Sequence, residues 1–243
     1  MLHDSKGIIL RTVKYGETSL ICTIFTELLG VQSYMVKGVR TAKSRNNKAA
    51  ALFAGSVLQM VVQQLPNKNL QYIKEYEPAF IYAYLQESPV KNSVAVFAIE
   101  LVAQLLQADD PQPEMYSFLE QFLRRLDTEA HSVANFPLYF LIQAARLSGY
   151  YLAGAYGAAT PFVDLREGRF ASSQGSLPPF VETPVAAAMS QLNGANCIEA
   201  AQQVQLGSAL RKEVLQQFIA FLQLHVPHFR PLRSLPVLQA IFG

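Results

Sequence analysis

The 243 residues include no tryptophan, two cysteines and four histidines, and only 16% of positions are charged. Without tryptophan, a planar ligand has only Tyr and Phe to stack on. Cys22 and Cys197 are too few for a disulfide framework. They read as buried free thiols in a reducing compartment, with one bridge between them as the alternative. No apolar run reaches the roughly 18 residues that a membrane span needs. The longest, Ser93 to Gln107, is interrupted by Glu100 and Gln104. Asp4 and Lys6 break any signal-peptide pattern near the N-terminus. The expectation is a soluble cytoplasmic protein without membrane contact.

Signatures of catalysis are missing as well. Gly149-Tyr-Tyr-Leu-Ala-Gly154 has the glycine spacing of a phosphate-binding loop, but Ala155 and Tyr156 stand where Lys and Ser/Thr are required. There is no G-x-S-x-G elbow. In His225-Val-Pro-His228, Pro227 disrupts the helix that would align two metal-binding rings. Asp109-Asp110 precedes Pro111 and is expected to open a helix, where acids favour the positive end of the dipole. A competing hydrolase reading would rest on Asp109, Asp110 and Glu114. The chain is read as a non-enzyme with no cofactor and no metal.

What is present is apolar and electrically polarised. Hydrophobic residues make up 51% of the chain, enough for a sizeable core. Residues 1–80 carry ten Lys and Arg against five Asp and Glu, or +5, which leaves −3 for residues 81–243 of the overall +2. A basic front third offers itself to anionic partners. Ile8 to Leu10, Leu20 to Phe25, Val31 to Val36, Val57 to Val62 and Tyr72 to Tyr76 are short β-branched and aromatic runs separated by turn formers. Five such strands within residues 1–78 suggest a small closed barrel, an OB-fold first and an SH3-like barrel second.

From Pro78 onward the period becomes helical, so that the fold class is α+β with a mainly helical domain over residues 79–243. Ser93 to Gln107 has a narrow polar stripe of Ser93, Glu100, Gln104 and Gln107. Tyr116, Leu119, Phe122, Leu123 and Leu126 share one face. Phe136 to Leu147 is apolar nearly all round and stops at Gly149. Thr183-Pro184 reads as an N-cap and first helical residue, and Asn196 with Glu199 as a capping box. Leu210, Val214, Leu215, Phe218 and Leu222 face inward on a helix over Leu206 to Leu224. An insert of glycine and proline at about Tyr156 to Phe180 carries a small hairpin, with arms at Phe162-Val163-Asp164 and Gly168-Arg169-Phe170.

The sharpest feature is the stretch from Lys37 to Lys48, with Lys37, Arg40, Lys43, Arg45 and Lys48 and no acid. A loop of this kind suits phosphate binding; a solvated loop is the bland alternative. Arg11, Lys14 and Tyr15 extend the patch from the end of the first strand. Tyr34, Phe53, Tyr72 and Tyr76 are candidate stacking platforms, with barrel core as their other reading, which we favour for Phe53.

The series Gly7-Ile8-Ile9-Leu10-Arg11-Thr12, Tyr15-Gly16-Glu17-Thr18-Ser19-Leu20, Phe25-Thr26, Val36-Lys37-Gly38-Val39-Arg40 and Lys43-Ser44-Arg45 resembles the opening of the RecO family. The resemblance implies an OB-fold followed by a helical domain, and binding of single- and double-stranded DNA with annealing of complementary strands. It also implies partnership with RecR and with the acidic C-terminal tail of single-stranded DNA-binding protein (SSB). Indirectly it implies loading of RecA in recombinational repair, in the cytoplasm at the nucleoid. Many members carry a four-cysteine zinc site in the helical domain, but Tyr156 to Phe180 contains neither Cys nor His, so a hairpin without zinc is expected. A tail receptor pairs an apolar pocket with cations, for which Arg124 and Arg125, or Arg211 and Lys212, are the candidates. The alternative from another class is a protein-interaction scaffold whose barrel has no direct nucleic-acid role.

Overall fold

The computed structural model describes residues 2–40, 48–65, 68–106, 110–174 and 179–242. Two compact units emerge: Met1–Ser88 with Leu106–Thr128, and Pro89–Leu105 with Glu129–Gly243. Among the described residues no helix is long and apolar enough to cross a membrane.

The first unit contains β1 (Leu2–Tyr15), β2 (Ser19–Thr26), β3 (Gly30–Val36), β4 (Val57–Gln63) and β5 (Leu70–Pro78). They close in the order β1-β2-β3-β5-β4, with β4 returning to β1 and β3 lying parallel to β5. This is the OB-fold arrangement rather than an SH3-like one. Each strand contains its predicted run, but β1 is far longer because it serves two neighbours. Leu2 to Ile8 pair with β4, and Gly7 to Tyr15 pair with β2 across a bulge between Ile9 and Arg11.

Alternating residues fill the barrel: Leu20, Cys22 and Ile24 from β2, Tyr34 and Val36 from β3, and Leu58, Met60 and Val62 from β4. At one level the strands are buried on both faces. Ile8 lies opposite both Phe25 and Val57, and all three are fully buried although they face outward, away from neighbouring Ile9, Ile24 and Leu58. Burying each such side chain contributes about 1.5–3 kcal/mol, so the row requires a cover. Helix α2 (Pro113–Thr128) supplies it, with the Tyr116 ring edge-on to Phe25 at 5.5 Å. Gly30 lets the segment before α2 approach. Its φ is +67°, and a Cβ would stand 2.7 Å from the Asp110 backbone nitrogen. At the other end of α2 the buried Asp127 carboxylate accepts the backbone N–H groups of Ala83, Tyr84 and Leu85 at 2.9, 2.8 and 2.6 Å.

The second unit is built on α3 (Phe136–Leu147), which packs against α1 (Pro89–Leu105), α4 (Val185–Asn193), α5 (Ile198–Gln203) and α6 (Ser208–His225). The polar stripe of α1 holds a returning chain. Glu100 accepts the N–H groups of Arg233 and Ser234, both at 2.8 Å, and the side-chain amide of Gln104 bonds the Arg230 backbone. This seats α7 (Leu235–Phe242), which periodicity did not reveal because it spans only 8 residues. Gln107 lies outside the described residues. Gly149 ends α3 at φ +85°, with the Tyr150 N–H reaching Ala145 O at 2.9 Å, as the sequence predicts.

Several local readings are corrected. Helix α2 starts at Pro113 with Glu114 in its first turn, so Asp110 does not open it; Asp109 lies outside the described residues. Pro184, not Thr183, occupies the N-cap of α4, because the Thr183 hydroxyl is engaged with the Tyr156 hydroxyl at 2.9 Å. The N-cap of α5 is Cys197 rather than Asn196, with no side-chain capping bond. Cys197 is therefore exposed, not buried; Cys22 is buried, and both are free thiols. The insert forms β6 (Phe162–Asp164) and β7 (Arg169–Ala171), and a third strand, β8 (Phe180–Val181), was not foreseen.

Candidate nucleic-acid interface

The interface is built from the strand register. Beyond its bulge β1 has lost β4 and runs with β2 alone. Thr12 lies opposite Cys22 and turns inward, where its hydroxyl donates to Leu52 O at 3.3 Å. Arg11, Val13 and Tyr15 therefore turn outward, opposite Thr23, Ile21 and Ser19. Across β3 and β5 the register continues this face: Ile21 meets Met35 and Met35 meets Tyr72, while Thr23 meets Ser33 and Ser33 meets Leu70. A row of Val13, Ile21, Met35 and Tyr72 thus crosses four strands. Val13 and Tyr15 on this face are 43% and 53% exposed.

The four described cations of the predicted patch gather at this end. Arg11 and Lys14 are exposed on β1, on its opposite sides. Lys37 leaves β3 and sets its ammonium 5.0 Å from the Tyr72 ring centroid, a contact of about 0.5–1 kcal/mol at an exposed site. Val39 turns back into the barrel core, so Arg40 emerges again on the outside. Arg40 also has a structural duty: its backbone N–H donates to Thr18 O at 3.1 Å and its guanidinium to Gly16 O at 3.2 Å, tying the β1–β2 turn to the chain leaving β3. Lys43 and Arg45 lie outside the described residues, as does the side chain of Lys48, whose backbone opens a 3-10 turn, Lys48–Ala51. Lys74 is a cation that sequence reasoning did not single out. Among the described residues, none of Arg11, Lys14, Lys37, Arg40 and Lys74 is in an ion pair.

The candidate platforms separate. Tyr34 is fully buried in the barrel, its hydroxyl donating to Gln32 Oε1 at 3.1 Å. Phe53 is half-buried, its ring 6.4 Å from that of Tyr82. Tyr76 packs against the core cluster opposite Met60. Its hydroxyl is pushed up to about 12, first by burial and then by Cys22. Burial likewise raises the Cys22 thiol, only partly offset by the Thr12 hydroxyl, which makes it a poor nucleophile. Tyr72 alone of the four lies on the outer row.

Of the second set, Arg124 stacks 4.3 Å over Phe80 and pairs with Glu120 at 2.7 Å, while Arg125 is exposed. Within the helical unit, Arg211 and Lys212 border a small apolar pocket with Pro137, Leu138, Leu215 and Phe242. Asp110 and Glu114 are exposed, and His225 meets Leu165 O through Nε2 at 2.8 Å. In the insert the β6–β7–β8 sheet buries Val163, Phe170 and Val181, with Leu165 beside them, and among the described residues no cluster of His, Cys, Asp and Glu could hold a metal ion.

Family models agree with this architecture. The one described as "Recombination protein O N terminal" matches residues 1–82, and "Recombination protein O C terminal" matches residues 86–236. The chain is 27% identical over 243 residues to a DNA repair protein RecO of Christiangramia forsetii and 28% identical over 243 residues to that of Phocaeicola vulgatus, with 100% of both chains covered in each case. A DNA repair protein RecO of Salinibacter ruber is 32% identical over 145 residues, 60% of this chain and 55% of that one.

Proposed function

The chain belongs to the RecO family of DNA repair proteins, and from that premise we propose that it holds DNA on the basic end of its barrel and anneals complementary strands there. The observation that carries the reading is that Arg11, Lys14, Lys37 and Arg40, none of them in an ion pair among the described residues, all emerge at the end of the barrel that exposes Val13 and Tyr15. These cations displace counterions from phosphates, which every single or double strand presents alike. Screening two strands from each other lets their bases meet, so annealing needs no nucleotide hydrolysis and no catalytic residue. In this reading the protein acts in the cytoplasm at the nucleoid, and with RecR it helps load RecA onto SSB-coated DNA. The acidic, apolar-ended SSB tail is received at the pocket beside Arg211 and Lys212, which joins an apolar floor to cations.

A fluorescent oligonucleotide titrated over a range of salt tests the DNA-holding step. If about five phosphates are neutralised, log Kobs against log salt should fall with a slope of about −3.5. Replacing Lys37, Arg40, Lys43 and Arg45 together with Ala should weaken binding and flatten that slope. Affinity indifferent to both salt and the four replacements would leave a protein-interaction scaffold as the function.

A further inference from the structure

The barrel closes between β3 and β5 through three residue pairs, Ser33 with Leu70, Tyr34 with Gln71 and Met35 with Tyr72. Past them the strands part around a groove of about 420 Å³ between residues 35–39 and 72–76. Met35 and Val39, 8% and 6% exposed, give it an apolar floor. Tyr72 and Tyr76 line it, and so do two exposed cations, Lys37 and Lys74.

We propose that this seam takes one unstacked nucleotide of a bound single strand. The inference rests on the DNA-holding reading and says how that site tells single strands from duplex. The volume falls in the range of pockets that enclose small ligands, about 300–1,000 Å³. Tyr72 offers a ring face at the edge of the seam, and Lys37 already sits over it. An ammonium on a four-carbon stem can swing aside, so the base takes the ring face while Lys37 moves to the phosphate of the same nucleotide. Lys74 supplies a second cation. With Glu75 as the acid among the described lining residues, the seam carries a net +1, suited to one phosphodiester rather than a polyphosphate. The Val13, Ile21, Met35 and Tyr72 row leads a strand to the seam from the exposed end of the barrel. A duplex base is excluded unless it is first pulled from its stack, which a single strand does not require.

The test compares the full-length protein with Tyr72→Leu and Tyr72→Phe on a 20-nucleotide single strand and on the same sequence as a duplex, with thermal melting as a check on folding. Tyr72 is half-buried at the surface, so leucine leaves the barrel core intact. Tyr72→Leu should lose about 5- to 150-fold in single-strand affinity, the contribution of one stacked base. Duplex affinity should be unchanged, and Tyr72→Phe should bind both as the parent does. Equal affinity of Tyr72→Leu and parent for the single strand, or an equal loss on both DNAs, would overturn the seam. Failure of the parent protein to bind either DNA would instead overturn the DNA-holding reading on which it rests.

Discussion

Arg124, Arg125, Arg211 and Lys212 look alike in the sequence, yet their surroundings differ. Arg124 is occupied by Phe80 and Glu120. Arg211 donates to Asn135 Oδ1 at 3.0 Å and Leu206 O at 2.7 Å, and burial lowers its pKa. Lys212 is exposed at the rim of the pocket formed with Leu215 and Phe242. An acidic peptide with an apolar C-terminus should therefore bind about tenfold more weakly to Lys212→Glu, about 1.4 kcal/mol for reversing one rim charge. Arg125→Glu should bind it normally; fluorescence anisotropy distinguishes the two, and the opposite order would move the receptor to α2. Candidate cations are thus legible as residue types, but their availability is not. The tyrosines make the same point. Strict alternation places Tyr72, Lys74 and Tyr76 on one face of β5, but the register shift opposite Val61 and Val62 turns Tyr76 inward against Met60. A bulge leaves no mark in a two-residue period.

Helix α2 shows what an element gains from its neighbours. Its apolar stripe announced a helix with one buried face, but not the face that it covers. The doubled apolar pairs Ile8-Ile9, Ile24-Phe25 and Val57-Leu58 were the signal that β1, β2 and β4 are buried on both sides at one level. Asp127 then fixes the chain that leaves the barrel by accepting three backbone N–H groups. Asp127→Ala would strand these donors in a buried setting at a cost of about 3–5 kcal/mol, from about 1–3 kcal/mol per unmet group with partial relief by water. Asp127→Asn keeps one acceptor oxygen and should cost about half as much. Urea denaturation measures both, and a near-neutral Asp127→Ala would show that the carboxylate is not what holds residues 83–85. Glu100 plays a comparable part for the chain entering α7; its polar stripe on α1 was visible in the sequence, its partner was not.

At the scale of the whole molecule, three phenols raised by burial lie in the barrel unit: Tyr76 to about 12, with Tyr82 and Tyr116 displaced in the same direction. Their folded pKa values stand above the unfolded value of about 10. The stability they contribute is therefore complete below pH 10 and is lost as pH climbs from about 10 through 12, because the unfolded chain gives up its protons first. The urea midpoint should begin to fall from about pH 9, where the buried Cys22 thiol contributes first, and fall further above 10 as the phenols follow; a midpoint unchanged at pH 11 would mean that these groups ionise freely in the fold. The sequence by itself determined the basic front third, the five strand runs and the helical period of the remainder, because charge, β-branching and periodicity are properties of neighbouring residues. It also determined the lack of a thiolate set in the insert. Only the tertiary structure decided that α2 belongs with the barrel, that Arg40 clamps the β1–β2 turn, and that Lys37, Tyr72 and Lys74 share one groove. Those facts depend on register, bulges and long-range contacts, in which residues far apart in the chain become neighbours.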